Sequence, residues 1–214
     1  MFEKEKQEVI DVGIKLDRYG LIALSGGNIS LRLENGEILM TPSGMVYEDL
    51  YPEDIILMDL DGKIIEGKRR PSVDNVAIRH IFKEREDINA IIHTHQPYAT
   101  AIGLVTDEIQ CNLTTLANAV RGSVKVAPYS SAASIDMGVQ TVENLGDQLA
   151  VVLKHHGVVA VGDSLKQALY STVYLEEGAK TLVMAHAYGK GHMATLTDEQ
   201  IQTAVGVFED YGQK

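Results

Sequence analysis

The sequence predicts an α/β layered domain with a central mixed, largely antiparallel sheet covered by helices. Three observations point to it. Asn-Gly and Asp-Gly pairs stand between short apolar runs, helical patterns are interspersed with those runs rather than alternating strictly with them, and no glycine-rich dinucleotide fingerprint is present. No linker rich in Pro, Gly or Ser, internal repeat or low-complexity tract divides the 214 residues, so one domain over residues 1–214 is expected.

Residues 3–19 carry Val9, Ile10, Val12, Ile14 and Leu16 in a charged background and are followed by Gly20, the pattern of a helix closed by a left-handed cap. "NISLRL" and "EILMT" flank Glu34-Asn35-Gly36, and "IILMDL" and "KIIE" flank Asp61-Gly62, which predicts two hairpins. After Pro71 a helix is expected over residues 74–84, then a buried strand at "AIIHTHQ", residues 90–96. Past Pro97 the pattern reads as a short helix, an irregular stretch, a strand near "SVKVA" and a helix near residues 135–146. "AVVLK" and "VVAVG" read as two strands joined by a tight turn at "HHG". Ser164 with Gln167, and Thr197 with Gln200, are capping boxes that open two C-terminal helices.

Composition narrows the partners. Nineteen Lys and Arg against thirty Asp and Glu leave a formal charge of −11, which repels a phosphodiester backbone unless basic residues cluster, and only Lys68, Arg69 and Arg70 do. Nucleic acid and anionic membrane are therefore not expected as partners. One cysteine, Cys111, permits no intrachain disulfide, the opening "MFEKEKQEVI" is charged, and no run reaches the length of a membrane span. The expectation is a cytoplasmic protein.

The histidines carry the chemistry. In a strand, residues i and i+2 share a face, so His93 and His95 project side by side with Thr94 opposite. Two parallel imidazoles are either independently satisfied histidines or part of a metal site, and catalytic zinc usually takes three protein ligands. His80, His186 and His192 fall in helices or polar linkers and read as solvated. His155 and His156 end a buried strand, and Gly157 permits close backbone approach or an unusual dihedral. One of the pair can turn inward while the other faces outward or supports it.

"GGNIS" at 26–30, "TPSGMVYEDL" at 41–50, "EGKRRPSVD" at 66–74, "HTH" at 93–95 and "HHG" at 155–157 occur in the order found in the class II aldolase/adducin family. The resemblance extends to the ending "LTDEQIQTAVGVFEDYG" and takes in L-fuculose-phosphate aldolase and L-ribulose-5-phosphate 4-epimerase. It implies a divalent metal, zinc or alternatively manganese, on His93, His95 and His156, with His155 a neighbour. It also implies a cytoplasmic homotetramer acting on a small sugar phosphate.

The resemblance assigns acid/base work to Asp74, a position usually Glu in the aldolases and Asp in the epimerases. An Asp just before a helix is otherwise an ordinary N-cap. Asn28, Ser43, Gly44 and Ser72 match the family's phosphate positions, in turns whose amides and hydroxyls suit an anion. At Val73 the family usually carries a second serine, and Arg69 and Arg70 either offset its loss or are simply solvated. The aldolases' tyrosine is absent at Leu113, and "TTLAN" at 114–118 places Asn118 where the epimerases carry an acid/base Asp. Tyr211 matches a C-terminal tyrosine that reaches an active site, and otherwise reads as an exposed residue near the terminus.

The implied reaction is metal-dependent aldolase cleavage of a phosphorylated ketose, such as L-fuculose 1-phosphate, to dihydroxyacetone phosphate and a small aldehyde through a metal-stabilised enediolate. The alternative is 4-epimerisation of a pentulose 5-phosphate by retro-aldol and aldol steps. A remoter one is an adducin-like interaction module without catalysis, which predicts a degraded metal site.

Overall fold

The structure, a computed structural model, describes residues 1–189 and 193–209. Helix α1 (Glu3–Arg18) is followed by the hairpin β1 (Asn28–Arg32) and β2 (Ile38–Met40), then by β3 (Ile56–Met58) and β4 (Ile64–Glu66). Helix α2 (Asn75–Glu84), strand β5 (Ala90–Thr94) and helix α3 (Pro97–Gly103) come next. They lead to β6 (Glu108–Ile109), α4 (Thr114–Val120), β7 (Val124–Ala127) and α5 (Ile135–Leu145). The hairpin β8 (Ala150–Leu153) and β9 (Gly157–Gly162) precedes α6 (Leu165–Gly189) and α7 (Asp198–Glu209). No helix among the described residues is long and apolar enough to cross a membrane.

The nine strands form one sheet in the order β4-β3-β2-β1-β5-β9-β8-β7-β6. Every pairing is antiparallel except β7 with β8, so the sheet is mixed and largely antiparallel, as its hairpin signals predict. The left-handed residues Gly36 (φ +84°) and Gly62 (φ +97°) make the two turns that need them.

Alternation sorts the side chains of β5 to two faces. Ile91 packs with Ala77, Ile78 and Ile81 of α2 and Met137 of α5, whereas Ala90 and Ile92 pack against the α1 side with Val9, Leu16 and Leu169. A third apolar cluster joins α3, α4 and α6 to Val152, Val158 and Ala160 of the β8–β9 hairpin. The sheet is thus clad on both faces, and burying both explains why β5 and β9 read as nearly continuous apolar runs.

Two elements differ from the sequence reading. The stretch after α3, expected to be irregular, contains the two-residue strand β6 and the seven-residue helix α4. Helix α4 has no side-chain N-cap bond. It buries Leu116 and Val120 in the third cluster, so tertiary packing supplies what local signals do not.

Candidate metal centre

The β1–β5–β9 register assembles the site at one end of the sheet. Asn28 stands opposite His93 across the β1/β5 ladder, His93 stands opposite Val159 across the β5/β9 ladder, and the turn before β9 carries His155 and His156. Directly opposed residues share a face, so Asn28 and His93 point the same way, toward the layer of α2 and α5. Thr94 points oppositely, its Oγ1 donating to Gln96 Oε1 at 2.7 Å.

One ligand atom from each of His93, His95 and His156 lies within 4.8 Å of the others. The ring centroids are 4.7–5.2 Å apart, with His93 buried, His156 half-buried and His95 exposed. His93 Nδ1 donates to the Val158 carbonyl at 2.9 Å, which leaves a lone pair on Nε2. That Nε2 lies 3.2 Å from His95 Nε2. Nitrogen ligands of a tetrahedral zinc are about 3.3 Å apart. His156 Nδ1 is buried and has no hydrogen-bond partner among the described residues. Burial, and then the neighbouring His156, pushes the His93 pKa down to about 4, and burial followed by His95 lowers that of His156. Neutral imidazoles, a lone pair facing its neighbour and an orphaned ring nitrogen together fit a divalent cation.

Close backbone approach makes this convergence possible. A Cβ on Gly157 would collide with the Thr94 carbonyl oxygen, and one on Gly27 (φ +74°) with that of His93. Of the two roles open to Gly157, close approach is the one seen. The left-handed dihedral falls instead on His155 (φ +63°), which is exposed and packs T-shaped against Tyr129 with ring centroids 6.4 Å apart.

Asp74 sits at the N-cap of α2 but makes no capping bond. Its Oδ2 accepts from Asn28 Nδ2 at 2.9 Å and lies 4.0 Å from His93 Nε2, and its Oδ1 accepts from the Ala133 N–H at 3.0 Å. The Ala133 contact is main-chain, so no side-chain pattern in the sequence could have signalled it.

The proposed phosphate positions lie on two adjoining segments. Ser43 N–H donates to the Arg70 carbonyl at 2.9 Å and Ser72 N–H to that of Thr41 at 3.1 Å, which draws 41–44 against 70–72. The Ser43 amide is thereby engaged, and its hydroxyl is the group it offers. Gly44 turns at φ +74°, and Ser72 Oγ accepts the Asp74 N–H at 3.3 Å. Arg69 is neither free nor simply solvated, since its Nε donates to Asp54 Oδ1 at 2.7 Å. Val73 is exposed, Leu113 is the N-cap of α4 and Asn118 lies half-buried within that helix. Tyr211 and His192 lie outside the described residues.

The junction after His95 is anchored by Glu176 of α6, whose carboxylate accepts the N–H groups of Tyr98 at 2.8 Å and Ala99 at 3.0 Å. Burial pushes its pKa up despite these bonds. Sequence patterning gives no hint of this contact across 77 and 78 positions.

Comparison with known proteins agrees with the geometry. The family model described as Class II Aldolase and Adducin N-terminal domain matches residues 7–183. A 5-deoxy-D-ribulose 1-phosphate aldolase from Bacillus thuringiensis serovar kurstaki is 32% identical over 215 residues, covering 100% of both chains. An L-ribulose-5-phosphate 4-epimerase from Salmonella paratyphi A is 29% identical, covering 88% of each. Among solved structures, an L-fuculose 1-phosphate aldolase superposes with a TM-score of 0.91 at 29% identity, covering 98% of each chain.

Proposed function

The chain belongs to the class II aldolase and adducin family, and on that premise we propose that it is a divalent-metal aldolase cleaving a phosphorylated ketose reversibly to dihydroxyacetone phosphate and a small aldehyde. The observation that carries this reading is the convergence of His93, His95 and His156 beside Asp74. The names of the relatives, aldolases of 5-deoxy-D-ribulose 1-phosphate and L-fuculose 1-phosphate, support a ketose 1-phosphate as the substrate.

His93, His95 and His156 would hold the cation, which we assign as zinc, with manganese the alternative. When bound, such an ion supplies Lewis acidity toward a carbonyl oxygen. Asp74 does the proton work. In the direction of synthesis its carboxylate takes a proton from the hydroxymethyl carbon of dihydroxyacetone phosphate, freeing an electron pair for the new carbon–carbon bond. In cleavage it returns that proton to the same carbon. A carboxylate has about four lone-pair sites, so the bonds from Asn28 and Ala133 hold it while leaving capacity to accept a proton. The Ser43 and Ser72 hydroxyls, the turn at Gly44 and the second amide hydrogen of Asn28 are assigned to the phosphate. Tyr211 is proposed as the acid that protonates the aldehyde-derived oxygen. A cytoplasmic homotetramer completes the assignment.

Two observations favour a second reading, 4-epimerisation of a pentulose 5-phosphate: the identity with the Salmonella epimerase and the short carboxylate of Asp at position 74. Metal-loaded protein incubated with L-fuculose 1-phosphate and, separately, L-ribulose 5-phosphate tests the two. Release of dihydroxyacetone phosphate from the first supports the aldolase, and xylulose 5-phosphate formation from the second alone supports the epimerase.

A further inference from the structure

Asp74 departs from the local rule for its position. An Asp preceding a helix ordinarily turns back to cap it, yet here both carboxylate oxygens are engaged by donors from distant segments. Asn28 approaches from β1, 46 positions away, and the Ala133 N–H from the loop before α5, 59 positions away. Asn28 is 1% exposed and is fixed by the ladder opposite His93. Ala133 holds φ +58°, a left-handed conformation that a residue with a Cβ seldom adopts, and in that conformation its N–H meets Asp74.

We infer that Asn28 is a positioning residue for Asp74: its side-chain amide, opposed by the Ala133 N–H, fixes the carboxylate beside the three histidines. The inference rests on the acid/base role proposed for Asp74 and assigns Asn28 a task separate from phosphate binding. Asp74 Oδ2 comes within 4.0 Å of His93 Nε2 but is not among the ligand atoms that all lie within 4.8 Å of one another. A carboxylate tethered at both oxygens stays beside the cation as a proton carrier. Released from Asn28, it can rotate about its two side-chain torsions and lose alignment with the donor carbon, where small misplacements cost much of the rate.

The test combines two measurements. In the first, metal-loaded wild type and Asn28→Ala are compared for solvent proton exchange into dihydroxyacetone phosphate and into unphosphorylated dihydroxyacetone. A positioning role predicts a loss of roughly 10–100-fold with the unphosphorylated donor and at least that loss with the phosphorylated one, whose contact with the second amide hydrogen is removed as well. A loss confined to the phosphorylated donor would mean that Asn28 serves the phosphate alone and would overturn the inference. In the second, metal-free wild type, Asn28→Ala, Asp74→Asn and the double variant are unfolded in urea. Non-additive midpoint shifts are expected for coupled partners, and additive shifts overturn the inference. Should Asn28→Ala fail to fold, Asn28→Ser enters both measurements in its place. If the wild type exchanges neither donor, the aldolase reading fails, and the metal-free cycle still decides whether Asn28 holds Asp74.

Discussion

The Nε2 atoms of His93 and His95 lie 3.2 Å apart, and the bond from His93 Nδ1 to the Val158 carbonyl decides what that contact means. A neutral imidazole that donates through Nδ1 has only a lone pair at Nε2. His93 thus turns a lone pair toward His95, with His156 closing the third side.

His95→Ala should abolish metal retention, because it leaves two imidazoles on the cation. The loss of affinity should exceed the roughly 10–100-fold that removal of an outer-shell partner costs. Metal content after dialysis, measured alongside far-UV circular dichroism, checks this. Stoichiometric metal in a folded variant would refute the ligand assignment.

Close approach at the glycines should be separable from dihedral strain. Gly27→Ala meets both a main-chain collision and a positive φ, Gly157→Ala a collision alone, and Gly36→Ala (φ +84°) a positive φ with nothing near the new methyl. The first two should lose about 1–3 kcal/mol or more and weaken metal binding. Gly36→Ala should cost about 1–2 kcal/mol and leave metal binding unchanged. Urea denaturation and metal titration of the three variants provide the comparison.

The metal-free protein should lose stability as pH falls. Burial depresses the His93 pKa to about 4 against about 6.5 in an unfolded chain, so between those values the unfolded state binds more protons. Stability contributed by this group is whole above pH ~6.5 and declines as pH drops toward ~4. Unfolding in chelator at pH 7.5 and 4.5 should show the decline, and His93→Gln should flatten it.

Ser43→Ala and Ser72→Ala should each weaken use of a phosphorylated donor about tenfold or more, since hydrogen bonds to charged groups contribute more than neutral ones. The change should appear in KM rather than kcat and be absent with unphosphorylated dihydroxyacetone. Steady-state kinetics with both donors distinguish this from a general loss of the site.

Much of this site is legible because its parts follow short-range rules. Strand parity pairs His93 with His95, which stands one residue past the end of β5, and Asn35-Gly36 and Asp61-Gly62 place the hairpins that supply four of the nine strands. What escapes the sequence depends on distant partners. Asp74 reads locally as a cap, and only the fold brings Asn28 and the Ala133 N–H to its oxygens. Helix α4 begins with two threonines and no capping bond, and it exists because Leu116 and Val120 have a buried cluster to enter. Arg69, which reads as an exposed cation beside the phosphate loop, is committed to Asp54 by an approach across fifteen positions.

The most direct measurement is proton NMR of dihydroxyacetone phosphate in heavy water with the zinc- or manganese-loaded protein and a chelator control. Metal-dependent, stereospecific loss of one hydroxymethyl proton in the wild type, abolished in Asp74→Asn with metal retained, is the result predicted for the proposed aldolase. No exchange by folded, metal-bound wild type, or undiminished exchange by Asp74→Asn, would contradict it.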